Sequence, residues 1–192
     1  MLAVLGVSDK RNIDVLAGGL LDLGWDVVAT EGTHRLCADA GLKVGRVADL
    51  AGVPTLLGGR VKTLTVSVMA GILARDTESD VEELARYDIT RVDLVACNYY
   101  RLPAGPVPFA DFREKVDIGG PAMLRAAAKN CAHVVPLSDP DDYAGVLEQL
   151  AAGGGTAESV PMPTRLALAA KAFRISADYE EAVAELYAAA SA

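Results

Sequence analysis

The chain has 192 residues, of which 52% are hydrophobic and 23% charged, and its formal net charge is −8. This length suits one domain with a helical extension and is sufficient to bury a core. The acidic balance argues against a nucleic-acid partner, although local cations and helix ends can still bind a small anionic substrate. No apolar run approaches the roughly 20 residues that span a bilayer, so no membrane association is expected.

The first seven residues are apolar, but the run is short and has no basic leader. We therefore expect a buried first strand there and not a signal peptide. Cys37, Cys97 and Cys131 are widely spaced, and the chain has only two histidines. This pattern predicts no structural zinc site and fits the reducing cytoplasm.

Short β-rich runs alternate with helical patterns along the chain. Strands are predicted at residues 2–7, 25–29, 42–47, 92–97 and 134–137. Helices are predicted at 13–23, 35–40, around 82–87, and at 164–190 as one long helix or two in succession. The alternation predicts an α/β fold with a doubly wound, mostly parallel five-stranded sheet.

The predicted domain covers residues 1–152, where the glycine run 153–155 follows as a flexible break. Residues 153–192 are expected to form a helical extension that packs on the domain or on a dimer partner, because its alanine-rich faces need burial. The proline-rich stretch 103–108 is predicted to be a surface loop. Doubly wound sheets bind ligands at the carboxyl ends of their strands, and most of the unusual residues follow the predicted strands.

Two of these segments could bind phosphate. Ser8-Asp9-Lys10 follows the first strand and offers a hydroxyl, a cation and backbone amides, although an ordinary N-cap with a solvated lysine gives the same pattern. Thr30-Glu31-Gly32-Thr33 follows the second strand, and its alternative is a capped turn. Glu31 favours the turn, because a carboxylate repels phosphate unless it points away.

Three further segments carry groups that could face a base or a ribose. The loop 58–63 has two glycines that allow close approach and two cations, Arg60 and Lys62, although basic loops are usually only solvated. Asn98-Tyr99-Tyr100 could face a heterocycle or could be half-buried tyrosines at a sheet edge. Asp117 precedes a predicted helix that ends near Lys129; their alternative roles are capping and a C-terminal helix charge.

Taken together, these segments resemble the IMP cyclohydrolase domain of the bifunctional purine biosynthesis protein, which has the methylglyoxal synthase-like fold. The resemblance rests on Val7-Ser8-Asp9-Lys10, Gly32-Thr33, Gly59-Arg60-Val61-Lys62-Thr63-Leu64, Gly71-Ile72-Leu73-Ala74-Arg75, Asn98-Tyr99-Tyr100 and residues 117–130. The tail 165–173, with Tyr179, is similar to the family's linker helices, so the resemblance covers nearly the whole chain. We expect no AICAR formyltransferase domain after Ala192, so that another protein would transfer the formyl group.

The resemblance implies closure of FAICAR, a formylated aminoimidazole carboxamide ribonucleotide, to IMP and water, with no metal or organic cofactor. Lys62, Tyr100, Asp117 and Lys129 match the family's catalytic positions. Asp117 would orient or deprotonate the carboxamide, and Lys62 would stabilise the oxyanion. Lys129 with Tyr100 would transfer the proton to the leaving oxygen. Family members form dimers, so a homodimer is expected.

The resemblance also implies a set of substrate-binding residues. Those expected to line the ribose phosphate are Ser8, Asp9, Lys10, Thr30, Gly32 and Thr33. Those expected to face the base or the ribose, besides the catalytic residues, are Arg60, Thr63, Asn98, Ile118 and Gly119.

The sequence departs from the family pattern at three places. Residues 65–71 lack both histidines and the proline of the family's His-Pro-x-x-His-x-Gly, Glu31 replaces a glycine, and Tyr99-Tyr100-Arg101-Leu102 replaces Leu-Tyr-Pro-Phe. These changes are compatible with a paralogue that closes a purine-like analogue nucleotide in specialised metabolism, or with tolerated drift. A non-catalytic module that senses a phosphorylated metabolite is a further alternative, but it would not need the acid–base set. The pattern of methylglyoxal synthase itself is not found.

Overall fold

Five parallel strands form the sheet of the computed structural model, which describes residues 1–52, 56–103 and 107–191. The strands are β1 (Leu2–Gly6), β2 (Asp26–Ala29), β3 (Gly45–Arg46), β4 (Leu94–Cys97) and β5 (Val135–Leu137). Their order is β3-β2-β1-β4-β5, and each neighbouring pair is parallel. The predicted α/β fold is confirmed, although β3 is shorter than the predicted strand at 42–47.

Nine α-helices occur in the described ranges. They are α1 (Ile13–Asp22), α2 (Glu31–Asp39), α3 (Val47–Ala51), α4 (Val66–Leu73), α5 (Glu78–Arg86), α6 (Phe109–Phe112), α7 (Gly119–Lys129), α8 (Tyr143–Ala152) and α9 (Met162–Ala190). Short 3-10 turns span Leu57–Gly59, Arg113–Lys115, Pro140–Asp142 and Ala157–Ser159. The predicted tail helix is one continuous helix, whereas α3, α4, α6 and α8 were not predicted. The predicted loop at 103–108 has its middle, residues 104–106, outside the described residues.

The sheet is covered on both faces, as a parallel sheet requires. Alternate residues of β1 point to opposite sides: Ala3 and Leu5 join a core with α1 and α8, while Leu2 and Val4 join a core with α4 and α7. All four of these side chains are buried. The long helix α9 packs against α7 and β5 and contributes to both cores.

The connection into α9 is fixed at the amino end of β2. The indole N–H of Trp25, the chain's one tryptophan, donates to the carbonyl of Gly155 at 2.7 Å, and the Trp25 side chain is buried. Gly154 and Gly155 both have positive φ, which side chains disfavour, so the predicted glycine break is a defined turn. The division into a domain and an extension at residue 152 stays a prediction.

Residues 71–75 and Asn130, which belong to the family-like pattern, have a structural role. The side-chain amide of Asn130, at the end of α7, donates to the carbonyls of Ile72 and Ala74 at 2.8 Å each, where α4 ends. A Cβ on Gly71 would lie 2.5 Å from the Thr90 carbonyl oxygen, so the backbone passes too closely for any side chain. The segment 71–75 therefore holds α4 against α7.

The strand order positions a binding crevice. The chain runs from β1 to β2 and β3 on one side, and then crosses to β4 on the other side of β1. The carboxyl ends of β1 and β4 therefore flank the switch point at which doubly wound folds bind ligands. Within the described ranges, no helix is both long and apolar enough to cross a membrane, and no group of three metal-ligating side chains converges.

Candidate active site

A cavity of about 570 Å³ opens at the carboxyl ends of β1, β2 and β4. Its volume is typical of small-molecule sites, which run from roughly 300 to 1,000 Å³. Ten of the predicted site residues line it: Ser8, Thr30, Arg60, Lys62, Thr63, Asn98, Tyr100, Asp117, Ile118 and Gly119. Segments far apart in the chain are thus brought together as the resemblance implied.

Asn98 joins the ends of β1 and β4. Its side-chain Oδ1 accepts the backbone N–H groups of Ser8 at 2.6 Å and Asp9 at 2.7 Å, and its Nδ2 donates to the Asp9 carbonyl at 3.3 Å. The loop after β1 is therefore shaped by an amide side chain from β4. In this arrangement the backbone N–H groups of Ser8 and Asp9 are already bonded to Asn98, and Ser8 lines the cavity.

Four residues predicted to contact phosphate lie outside the cavity wall: Asp9, Lys10, Gly32 and Thr33. The Lys10 ammonium points inward, where it donates to the Val7 carbonyl and to Thr33 Oγ1, the latter at 2.7 Å. Burial lowers the pKa of Lys10. Thr33 is fully buried and accepts the Val7 N–H at 3.3 Å.

These contacts stabilise the loop that follows β1. Gly32 lies beside Lys10, since a Cβ there would be 3.8 Å from the ammonium. Asp9 forms an ion pair with Arg11 at 2.9 Å, and hydrogen bonds from the backbone and side chain of Arg11 lower the pKa of Asp9. Asp9, Lys10 and Thr33 are each bonded to neighbouring protein groups in this structure. A contact of these three residues and Gly32 with a phosphate stays a prediction.

Asp117 lies at the entry to α7, half-buried in the cavity wall. Its Oδ1 accepts the Gly120 N–H at 2.8 Å, which caps the first turn of the helix. Burial raises the pKa of Asp117, and the Gly120 hydrogen bond and the charge of Lys62 act in the opposite direction. A carboxylate that water solvates poorly and a nearby ammonium are features that active sites share.

The cations of the cavity are Arg60, Lys62 and Arg113, and its carboxylates are Asp117 and Glu114. Arg60 and Glu114 are bound to each other through two hydrogen bonds, with Nε to Oε2 at 3.1 Å. Because both side chains are exposed, this pair contributes little to stability and is easily exchanged for a ligand. Lys62 has no ion pair among the described residues, so its ammonium is available to a substrate.

The sequence missed the contribution of α9. Tyr187 lines the cavity and packs edge-to-face with Phe109 and Phe112, with ring centroids 5.7 and 5.1 Å apart. Tyr179 accepts the backbone N–H of Asp117 at 2.8 Å. Neither tyrosine was among the predicted site residues, although Tyr179 was noted in the tail that resembles the family's linker helices. Both lie more than 50 positions from the cavity residues of the other segments.

Lys129 is not brought to the cavity. It lies exposed at the carboxyl end of α7, whereas Asp117 precedes the amino end. Ten helical steps of 1.5 Å separate Gly119 from Lys129, a rise of about 15 Å. Three of the four predicted catalytic side chains therefore line one cavity, and Lys129 does not line it within one chain. The catalytic roles of all four stay a prediction.

The departures from the family pattern lie mainly outside the walls of the cavity. Residues 65–71 form the cap and first turns of α4, where Thr65 accepts the Val68 N–H at 3.4 Å and Val68 is buried. Glu31 forms an ion pair with Arg46, which lowers the pKa of Glu31. Its carboxylate is therefore neutralised by a partner instead of opposing a phosphate.

Comparison with known proteins identifies the family. The model of the MGS-like domain matches residues 12–122, more than half of the chain. The chain belongs to the MGS-like domain family. The model of the AICARFT/IMPCHase bienzyme matches residues 127–192, so the end of this MGS-like chain also resembles that protein.

Two curated relatives and one solved structure extend the comparison. The bifunctional purine biosynthesis protein PurH of Streptococcus mutans is 42% identical over 97% of this MGS-like chain, and that of Chloroflexus aurantiacus is 43% identical over 95%. In each case the match spans 36% of the relative, about a third of its length. A structure described as the crystal structure of ForH is 68% identical, with a TM-score of 0.94, and the match covers 99% of this chain and 98% of that one.

Proposed function

We propose that the chain is an IMP cyclohydrolase, which closes the second ring of a purine nucleotide by converting FAICAR to IMP and water. The observation that carries the proposal is the meeting of Lys62, Tyr100 and Asp117 in one cavity at the switch point of the sheet. The similarity to the PurH proteins, which are named for purine biosynthesis, supports the same reaction.

Asp117 acts as the base in this mechanism. The carboxamide nitrogen of FAICAR is a poor nucleophile, so its proton must leave as the nitrogen bonds to the formyl carbon. Burial raises the pKa of Asp117, which makes its carboxylate a better proton acceptor than an exposed aspartate. The Gly120 N–H bonds to Oδ1, and Asp117 lines the cavity in which the substrate would lie.

Lys62 and Tyr100 act on the formyl oxygen. As the C–N bond forms, negative charge develops on that oxygen, and the Lys62 ammonium stabilises it. Tyr100 then protonates this oxygen to give the carbinolamine hydroxyl. The proton that Asp117 took from the carboxamide passes to this hydroxyl as the C–O bond breaks, so that water departs. The proton of the former formamide nitrogen is released to solvent as the ring C=N bond forms. Tyr100 is exposed at the cavity and can reprotonate from solvent. Lys129 has no part in this mechanism within one chain.

The cavity also supplies binding groups for the ribose phosphate. Ser8 and Thr30 offer hydroxyls at the ends of β1 and β2, and Arg60 offers a guanidinium once it leaves Glu114. Holding the carboxamide and the formyl group in contact supplies much of the rate enhancement, since effective molarities of oriented reactants reach roughly 10⁵ M or more.

The test is a substrate assay. Purified protein is mixed with FAICAR, and the hypoxanthine chromophore of IMP is followed by absorbance. Lys62→Met and Asp117→Asn should each lower kcat by about 10²-fold or more. Lys43→Met, at an exposed lysine outside the cavity, is the matched control and should match wild type.

The same assay separates the alternatives. Formation of a chromophore only from a FAICAR analogue would indicate a paralogue with another nucleotide substrate. Tight binding of IMP without any turnover would indicate a sensing module. Either outcome would contradict the proposed conversion of FAICAR to IMP and would favour the corresponding alternative.

We also propose a cytoplasmic homodimer. All three cysteines are free in the structure, which suits a reducing compartment. One face of α9 is buried on its own domain, while Leu166 and Phe173, two turns apart, stay exposed on the other face. Light scattering should give twice the chain mass, and Leu166→Glu with Phe173→Glu should halve it; a monomeric wild type would contradict the proposal.

A further inference from the structure

We propose that Tyr179 is a positioning residue that holds Asp117 in its productive orientation, so that the C-terminal helix α9 is a working part of the active site. The catalytic part of this inference rests on the proposed function. The contact itself is independent of the reaction, because it joins α9 to the segment before α7.

The geometry pins Asp117 at two points. Its backbone N–H donates to the Tyr179 hydroxyl oxygen at 2.8 Å, and its side-chain Oδ1 accepts the Gly120 N–H at 2.8 Å. One bond fixes the main chain from α9, and the other fixes the carboxyl from α7. With both ends held, Oδ2 has little freedom, as a base that must meet one particular proton requires.

Tyr179 differs from its neighbour Tyr99, although the two rings pack edge-to-face with centroids 4.9 Å apart. The Tyr99 hydroxyl bonds to Ser176 Oγ at 2.6 Å and so anchors α9 to the end of β4. The Tyr179 hydroxyl is instead used on the backbone of Asp117. Two phenols in the same aromatic pair thus have separate tasks, one in docking the helix and one at the active site.

This difference provides a matched pair of variants. Tyr179→Phe keeps the ring and its edge contact but removes the oxygen that accepts the Asp117 N–H. Tyr99→Phe removes a more deeply buried hydroxyl bond within the same pair and leaves Asp117 untouched. Tyr99→Phe should therefore lose at least as much thermal stability as Tyr179→Phe, so a loss of activity confined to Tyr179→Phe cannot be attributed to general loosening of α9.

The expected result is a selective loss of turnover. Tyr179→Phe should lower kcat about three- to tenfold, the range that corresponds to one lost hydrogen bond, and should leave KM within about twofold. Tyr99→Phe should keep both constants near wild type. Hydrogen exchange of the Asp117 amide, followed by NMR, should accelerate in Tyr179→Phe and not in Tyr99→Phe.

The outcomes distinguish this inference from the proposed function. If wild type forms IMP and Tyr179→Phe retains full kcat, the positioning role is refuted while the cyclohydrolase stands. If wild type leaves FAICAR unchanged, the proposed function fails, and exchange of the Asp117 amide still decides the contact. Unchanged exchange in Tyr179→Phe would overturn the inference in either case.

Discussion

Gly120 packs so closely on the Asp117 carboxyl that Gly120→Ala is an informative substitution. A Cβ at residue 120 would lie 2.6 Å from Asp117 Oδ2 and 3.0 Å from its Cγ. Contacts this short force the carboxyl to move. We therefore expect the substitution to displace the proposed base while leaving the rest of the cavity in place.

The expected change in the free energy of unfolding is the sum of three contributions, one favourable and two unfavourable. Alanine gains up to about 1 kcal/mol over glycine in a helix. Overpacking costs roughly 1–3 kcal/mol, and loss of the bond between the Gly120 N–H and Asp117 costs about 1 kcal/mol more. The net loss of about 2 kcal/mol corresponds to a fall in Tm of roughly 4–8 °C for a chain of this size.

The assay is a double-mutant cycle of thermal stability measured by calorimetry, and turnover of FAICAR is measured for Gly120→Ala in the wild-type background only. In an Asp117→Ala background the colliding carboxyl is gone, so Gly120→Ala should be neutral or stabilising there. Gly18→Ala in α1 is the control, because its nearest neighbour would be 3.7 Å away, at Leu42, and it should raise Tm without loss of activity. Equal costs of Gly120→Ala in both backgrounds would refute the reasoning.

Three further predictions concern single side chains. Asp117→Asn should abolish turnover yet raise the free energy of unfolding at neutral pH: burial raises the pKa of Asp117, so the native state binds its proton more tightly, and stability is lost as pH rises through that pKa. Urea unfolding at several pH values should show the two proteins converging below about pH 3.9, and a constant difference would contradict the sign. Tyr187→Ala should raise KM for FAICAR several-fold with a smaller change in kcat, since the ring lines the cavity beside Phe109. Steady-state kinetics measures both constants, with Tyr187→Phe as the conservative control. An unchanged KM in Tyr187→Ala would contradict this prediction. Lys129→Ala should retain turnover within about twofold, because the side chain lies about 15 Å along α7 from the site; a large loss in a folded variant would show that a second copy of the chain delivers this lysine.

The sheet and the principal strands could be predicted because their signals are local. Alternating apolar runs and helical periods identify β1, β4 and α1 directly, and the carboxyl-edge rule then places Ser8, Thr30 and Asn98 together. The helix α4 was harder, since its apolar residues surround Gly71 and match no amphipathic pattern. Its place is fixed by tertiary contacts from Asn130, which lies far along the chain.

A sequence motif identifies a residue but does not show which way its side chain points, and this limited the prediction of the site. Lys10 and Thr33 stand where a phosphate loop would have them, but the ammonium turns inward and bonds to the hydroxyl. Lys129 and Asp117 belong to the same family-like stretch, but they lie at opposite ends of α7. Tyr179 reaches the site through the docking of α9, which no stretch of sequence encodes by itself.

The tether between Trp25 and Gly155 gives this protein a natural optical reporter. The indole of Trp25 is buried and bonded to the turn that leads into α9. Its fluorescence should therefore change when that turn detaches. The indole lies at the opposite end of the sheet from the candidate active site and does not line that cavity. Tryptophan fluorescence should report detachment of the C-terminal segment and should not change when a ligand fills the cavity. The rate of detachment can therefore be measured separately from ligand binding in one solution.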